Sequence, residues 1–404
     1  MHILLIHQAF ASLDEAGGTR HYEMARFLVS RGHQVTIVAS PVSYLTGKAR
    51  QQKVQWLTGE QPEPGITILR AFTYPALHRS FFHRLISFFS FMFSSFLAGL
   101  SVKRVDLVWG TSPPIFQGVT AWMVARLKGV RFLFEVRDLW PAFAVAAGVL
   151  RSPFLIRLSE ELEKFLYRHA DRVMVNSPGF IEHVSRRGAR WVELVPNGAD
   201  PDMFDMHQNG VHIRQQWGLG DEFVVLYAGA HGLSNDLEVV LDSARILKDD
   251  PRIRFVLVGD GKEKPNLIRQ AQEMGLTNIL FMPPVAKKEM GKILSAADAC
   301  LAILKPLDWY KTTYPNKVFD YMAAGKPVLL AIDGVIREVV ESHRAGIAVP
   351  PGNPQALAEA VQRLAADPQT VKAMGLAGKK AVQNCYNRQQ FSLRLAEIIE
   401  EMRF

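Results

Sequence analysis

The chain has 404 residues, 48% of them hydrophobic, and two cysteines, Cys300 and Cys385. That length suggests about two to three domains with buried cores, and so few cysteines exclude a disulfide framework and fit a reducing cytoplasm. The formal charge of +8 is uneven, since residues 1–196 carry 23 Lys and Arg against 14 Asp and Glu while the remainder carries 24 against 25. The first half therefore faces something anionic, yet its cations are scattered and form no DNA or RNA module, so nucleic acid is not the expected partner.

The first apolar run, residues 3–6, starts without a basic n-region or cleavage site, so no secretory leader is expected. Gly17-Gly18-Thr19 lies between that strand and a helix over about residues 22–30. Glycines there let backbone N–H groups approach a phosphate or another ligand, although an ordinary tight turn has the same composition. Arg20 and His21 adjoin the turn, within reach of phosphates. Further apolar runs at 35–39, 66–71, 107–109, 132–135 and 173–176 alternate with helical stretches such as 115–128 and 155–169, the pattern of a doubly wound parallel sheet.

Arg137-Asp138 stands at the carboxyl end of the run at 132–136, where α/β folds place chemistry. Arg137 cannot serve as a base at neutral pH but can hold an anion. Asp138 can orient a hydroxyl or take its proton; its plainer role is a structural ion pair with Arg137 or another Arg.

Residues 80–102 are rich in Phe and carry no charge from Leu85 to Val102. As a helix, 18 residues reach about 27 Å, near the thickness of a bilayer core. A span would separate the neighbouring strands of one sheet, and Ser87, Ser90, Ser94 and Ser95 dilute the stretch, so a transmembrane helix is not expected. Two readings remain: a buried crossover, or a surface helix that dips Phe88, Phe89 and Phe91 into an inner leaflet with Arg79, Arg84, Lys103 and Arg104 on lipid phosphates. The aromatic density and the basic half favour the surface helix.

Beyond the Pro196-Asn197-Gly198 turn the alternation resumes, with strands at 224–227, 253–258, 279–281, 299–304 and 328–331. Gly259-Asp260-Gly261 is followed by Lys264 where a dinucleotide fingerprint needs its third glycine. Residues 313–330 run from a polar loop through a short helix to Gly325 and a buried strand. Lys317 and Asp320 sit near the amino end of that helix, where backbone N–H groups and the dipole favour an anion. Asp200-Pro201-Asp202 has the spacing of a metal-binding Asp-x-Asp but lies in a turn that Asp side chains cap. The histidines are dispersed, so no metal is expected.

These motifs, with Arg31-Gly32-His33, Glu135-Val136-Arg137-Asp138-Leu139-Trp140-Pro141, Asn197-Gly198-Ala199-Asp200, Tyr227-Ala228-Gly229 and Val258-Gly259-Asp260-Gly261, occur in an order that resembles the retaining GT-B glycosyltransferases of family 4. The resemblance extends over nearly the whole chain, and especially to the branch of bacterial lipid-linked N-acetylfucosamine transferases of O-antigen and capsule synthesis. It implies two Rossmann-like domains of doubly wound parallel sheets facing across a cleft. The first is an acceptor-binding domain over 1–196 onto which a last helix, about 388–404, packs back; the second is a nucleotide-sugar domain over 197–387. It implies a donor set of Gly17, Gly18, Gly229, Asn235, Val285, Thr312, Thr313, Asn316 and Asp320, with Asp320 on ribose hydroxyls. Thr19, Arg20 and His21 are left for acceptor or phosphate contacts, and Asp138, Arg137 and Lys317 for catalysis.

The chain departs from the family where the diphosphate is neutralised. The usual Gly-Arg-x-x-x-x-Lys-Gly falls on Gly229 to Asp236 without either cation, and the first carboxylate of Glu-x7-Glu is Thr312. Lys317 is then the expected replacement, with His231 or Asn235 in support. Many relatives have His where this chain has Arg137.

The expected activity is transfer, with retention and without metal or other cofactor, of an N-acetylated amino sugar from a nucleotide diphosphate, UDP first, to a polyprenyl-pyrophosphate saccharide at the inner face of the plasma membrane. A nucleotide-sugar 2-epimerase of the same fold and a silent nucleotide-sugar or membrane scaffold are the rival readings. Loops around 66–80 and 308–315 are expected to set specificity.

Overall fold

The computed structural model describes residues 1–43, 46–47, 49–50, 55–75, 81–204 and 210–403, with the side chain of Phe81 excepted. Arg79, Ser80, Phe404 and the 76–80 part of the expected specificity loop lie outside the described residues. The chain forms two compact units: Met1–Ser12, Gly17–Pro196 and Gln389–Phe404 in one, Leu13–Ala16 and Asn197–Arg388 in the other.

The first unit is built on eight strands, β1 His2–Ile6, β2 Gln34–Ala39, β3 Leu57–Glu63, β4 Ile66–Ala71, β5 Leu107–Ser112, β6 Arg131–Val136, β7 Arg172–Val175 and β8 Val192–Leu194. They lie in the order β3-β4-β2-β1-β5-β6-β7-β8, all parallel except the β3–β4 pair. Ile3 to Ile6 are fully buried because helices cover both faces, which is why β1 reads as a continuous apolar run rather than an alternating one. β3 was not expected: Leu-Thr-Gly-Glu-Gln-Pro-Glu carries turn residues and charges, the composition that protects an exposed sheet edge from further pairing.

Three helices fix the geometry used below: α1 Arg20–Ser30, α2 Phe81–Ser101 and α3 Phe116–Lys128. α2 connects β4 to β5, two strands of the same sheet, so it does not span a membrane. Its inward side presents Ser87, Phe91, Ser94, Ser95 and Ala98 to the core, with Gly99 against Val124 and Ile6. Ser94 Oγ donates to the Phe72 carbonyl at 2.6 Å, and Ser90 Oγ accepts the Tyr74 N–H at 2.9 Å. This corrects the membrane set: Phe91 is 1% exposed and belongs to the core. Phe88 is half-buried, with its ring centroid 6.0 Å from that of Phe116. Phe89 remains exposed, so the helix is a packed crossover with one apolar face outward.

The last helix, Arg388–Glu401, buries Leu395, Ala396, Ile398 and Ile399. Arg394 pairs with Glu193 at 2.9 Å and Arg172 with Glu401 at 2.8 Å, holding the helix within the first unit.

The second unit carries six parallel strands, β9 Phe223–Ala228, β10 Ile253–Val258, β11 Ile279–Met282, β12 Ala299–Ile303, β13 Val328–Ala331 and β14 Gly346–Ala348, in the order β11-β10-β9-β12-β13-β14. Val224 and Leu226 enter the core on one face, Val225 and Tyr227 the core on the other. Cys300 is fully buried on β12, and burial raises its thiol to about 12. β14 was missed because Gly-Ile-Ala is too short to show a period; a Cβ at Gly346 would stand 1.9 Å from the Val328 carbonyl oxygen, so only glycine lets this strand pair.

Removing a core ring on α2 should differ sharply from removing an outward one. Phe91→Ala is expected to cost about 3–5 kcal/mol and Phe89→Ala less than about 1 kcal/mol in the first unit's urea transition. Equal losses would mean that the two faces of α2 are assigned wrongly.

Candidate functional site

In the first unit, Glu135 on β6 is fully buried and organises the start of α1. Arg20 Nε donates to its Oε1 at 3.1 Å and His21 Nε2 to its Oε2 at 2.5 Å. The other Arg20 donors reach the Pro196 carbonyl at 2.8 Å and the Val195 carbonyl at 2.5 Å. Burial opposes the Glu135 charge, but His21 and Arg20 overcome it and hold the carboxyl below the usual range. Burial outweighs the carboxylate at His21 and lowers its pKa, so Arg20 supplies the compensating charge.

Arg20 and His21 are therefore committed to a buried network rather than presented to phosphates, a correction to the expectation from their place beside the glycine turn. Thr19 is likewise turned inward, its hydroxyl donating to Glu23 Oε1 at 2.6 Å. The glycines remain accessible: Gly17 adopts φ +148°, and the space a Cβ would occupy at Gly18 is open.

His7, directly after β1, went unnoticed among twelve dispersed histidines. It is fully buried, its ring centroid is 4.2 Å from that of His21, and neither ring nitrogen has a hydrogen-bond partner among the described residues. Burial, with His21 and Arg137 adding to it, lowers its pKa well below the ordinary value.

Arg137 is anchored to the end of β5, with Nε donating to Thr111 Oγ1 at 2.9 Å and to the Ser112 carbonyl at 3.1 Å, and Nη2 to the Pro113 carbonyl at 3.0 Å. Asp138 is half-buried and makes no ion pair among the described residues. Burial raises its carboxyl to about 6, with Arg137 opposing, which poises it between charged and neutral near physiological pH.

In the second unit the end of β9 meets the helix Asn316–Ala323, where the Ala228 N–H donates to Tyr321 Oη at 2.9 Å. Lys317 Nζ lies 3.9 Å from the ring centroid of Tyr227, and a Cβ at Gly229 would come within 2.5 Å of it. That ammonium is buried and has no hydrogen-bond partner among the described residues. Burial lowers it to about 7. His231 is also buried, with neither ring nitrogen partnered among the described residues; burial, then Lys264 and Lys317, lowers it to about 4. Lys264 Nζ is committed to the carbonyls of Gly259 and Met282 at 2.7 and 2.8 Å, closing the ends of β10 and β11. A Cβ at Gly259 would stand 1.9 Å from the Gly229 carbonyl oxygen, so this crossing requires glycine.

Asp320 is held at Oδ2 by Lys287 Nζ at 2.5 Å and Asn316 Nδ2 at 3.3 Å. Lys287 is buried beside the Phe204 ring; in the sequence it is one of two adjacent lysines, which carry no local motif to single it out. Asn316 Oδ1 also accepts from Arg388 Nη2 at 2.5 Å. Among the described residues no side chain caps this helix, whose first turn carries Lys317.

The remaining expected donor residues are more ordinary. Thr312 Oγ1 and Thr313 Oγ1 donate within their own turn, to the Trp309 and Tyr310 carbonyls at 2.7 and 2.8 Å. Val285 is half-buried against the core, and Asn235 is half-buried at the end of a short 3-10 turn. The next residue, Asp236, adopts a left-handed conformation with φ +46°, costly for a residue other than glycine. Asp200 Oδ1 accepts the Asp202 N–H at 3.1 Å, the turn cap that its spacing allowed.

Two family models match the chain, the glycosyl transferase 4-like domain over residues 16–198 and the glycosyl transferases group 1 over 222–367. WcaI of Escherichia coli, named for colanic acid biosynthesis, is 26% identical and aligns over 75% of this chain and 76% of its own. The D-rhamnosyltransferase WbpZ of Pseudomonas aeruginosa is 25% identical over 57% of this chain and 59% of its own, less than two thirds of its length. Sucrose-phosphate synthase from Thermosynechococcus elongatus matches with a TM-score of 0.80 and 21% identity over 99% of this chain and 98% of its own. HepE of Anabaena, solved with UDP and glucose, matches with a TM-score of 0.74 and 17% identity over 99% and 100%. Two Rossmann-like α/β domains of this kind define the GT-B fold. With both halves matched by models of one enzyme group, the chain belongs to the group 1, GT4-like glycosyltransferases.

Proposed function

We propose that the protein transfers an N-acetylated amino sugar, such as N-acetylfucosamine, from a UDP-linked donor to a polyprenyl-pyrophosphate saccharide at the cytoplasmic face of the membrane, with retention and without a metal. The observation that carries this reading is the buried ammonium of Lys317, without a hydrogen-bond partner among the described residues, in the first turn of a helix that none of them caps. A cation without a counter-charge in a desolvated site is stabilised by an arriving anion, and a diphosphate is an anion of the right class. The sugar and the lipid-linked acceptor rest on the motif resemblance. UDP is supported by its presence in HepE, and surface polysaccharide synthesis by the names of WcaI and of the O-antigen chain mannosyltransferase C of Escherichia coli.

In the proposed reaction the bond from the anomeric carbon to the diphosphate oxygen breaks as the acceptor oxygen bonds to the same face of that carbon. The acceptor proton passes to the departing phosphate, and Asp138 orients the acceptor hydroxyl. Negative charge grows on the leaving diphosphate, so Lys317 contributes most in the transition state. Asp320, fixed by Lys287 and Asn316, accepts hydrogen bonds from the ribose hydroxyls. Arg137, fixed to the end of β5, presents positive charge to the donor.

The direct test incubates the purified protein with UDP, GDP and dTDP sugars, with and without a short polyprenyl-pyrophosphate GlcNAc acceptor, and follows products by mass spectrometry. An acceptor-dependent mass gain from one donor is expected. Isomerised donor without acceptor would instead indicate a 2-epimerase, and nucleotide binding without turnover a scaffold.

Lys317→Ala should lower kcat by about a hundredfold with a smaller change in KM. Near-normal kcat with the true donor would remove Lys317 from charge neutralisation.

Asp138 yields a linked pH prediction. Its folded-state carboxyl, at about 6, lies above the ordinary value of 3.8. Ionising it therefore destabilises the folded state above about pH 6, and the penalty vanishes when both states are protonated. Asp138→Asn should raise Tm at pH 8, lose that advantage near pH 4, and remove an acidic limb near pH 6 from the rate profile. A pH-independent Tm difference would show that this carboxyl is not raised.

A further inference from the structure

The outward face of α2 is apolar and its inward face carries serines, the reverse of a crossover helix arranged for water. Phe82, Ile86, Phe89, Phe93 and Leu97 form one stripe, each at least 36% exposed. At helical rise the stripe is roughly 23 Å long. Trp56, 52% exposed, widens it by standing edge-on to Phe93 with ring centroids 6.2 Å apart, and Leu57 follows on the edge strand β3. Singly exposed apolar residues need no explanation, but a continuous row of five large ones does.

The charge around the stripe identifies what would cover it. No Asp or Glu occurs between Glu63 and Asp106, while Arg84 lies near the amino end of the helix and Lys103 and Arg104 are exposed just beyond its carboxyl end. None of these three cations forms an ion pair among the described residues. A twofold contact with a second copy would bring the same cations towards each other with no acidic residue to offset them. An anionic lipid surface satisfies both features, taking aromatic side chains at the headgroup boundary and cations on its phosphates.

We propose that this face of α2, extended by Trp56, docks the protein on an anionic phospholipid bilayer, the helix lying in the interface while its serine side stays packed on the sheet. The inference stands on this face alone and does not depend on which sugar is transferred.

The test is flotation of the full chain with phosphatidylcholine vesicles, with and without phosphatidylglycerol, in the absence of donor. The unmodified protein should float with the anionic vesicles. Phe89→Ser/Phe93→Ser and Lys103→Glu/Arg104→Glu should each reduce partitioning by about tenfold or more while thermal melting shows the fold intact. If a variant fails to fold, hydrogen–deuterium exchange of the unmodified chain decides the matter, with vesicle-dependent protection expected over residues 82–97. Absence of vesicle binding, or equal partitioning by folded variants, would overturn the proposal. So would a dimer by sedimentation that Phe89→Ser/Phe93→Ser turns into a monomer without any vesicle binding, since the stripe would then belong to a second copy.

Discussion

A charge buried in a protein must find a partner, and the two sheet ends meet that constraint in opposite ways. In the first unit the Glu135 carboxylate is fully satisfied by Arg20 and His21, while Arg20 also collects the carbonyls of Val195 and Pro196. One buried acid thereby ties β6 to the start of α1 and to the last residues before the second unit. Removing Arg20 would leave an uncompensated buried charge, which is costlier than never burying the pair.

Lys317 is the opposite case. Its ammonium lies over the face of Tyr227 and has no hydrogen-bond partner among the described residues; the cation–π contact offsets part of the desolvation cost and supplies no counter-charge. Charge placed without a partner is destabilising, and burial accordingly lowers this lysine to about 7. His231, buried a few residues after β9 and without a partner among the described residues, lies in the same desolvated environment and is kept neutral by it.

α2 shows a comparable division between its two sides. Serines on its packed side satisfy backbone groups of the neighbouring segment, including the Phe72 carbonyl and the Tyr74 N–H, and Gly99 allows close approach to Val124. Those small residues let a helix with a bulky apolar exterior fit tightly on the sheet. Its Phe content thus serves two surfaces, with Phe91 in the core and Phe82, Phe89 and Phe93 outside.

The sequence alone determined the alternation of strands and helices, because parallel strands covered on both faces appear as short continuous apolar runs that a single chain displays plainly, as at Ile253–Val258 and Val328–Ala331. The glycine turn, the Arg137-Asp138 pair and the Lys317 helix were legible for the same local reason, since each is a motif of adjacent residues at a strand or helix end. The tertiary structure alone decided which of these side chains are available. Arg20 and His21 look identical to ligand-binding residues until Glu135, more than a hundred positions away, takes their donors. Lys287 looks like a surface lysine until it meets Asp320. The face on which each phenylalanine of α2 falls depends on the sheet and on α3, because the serines lie on the packed side and large apolar residues outward, the reverse of the pattern from which a helix's orientation is ordinarily read.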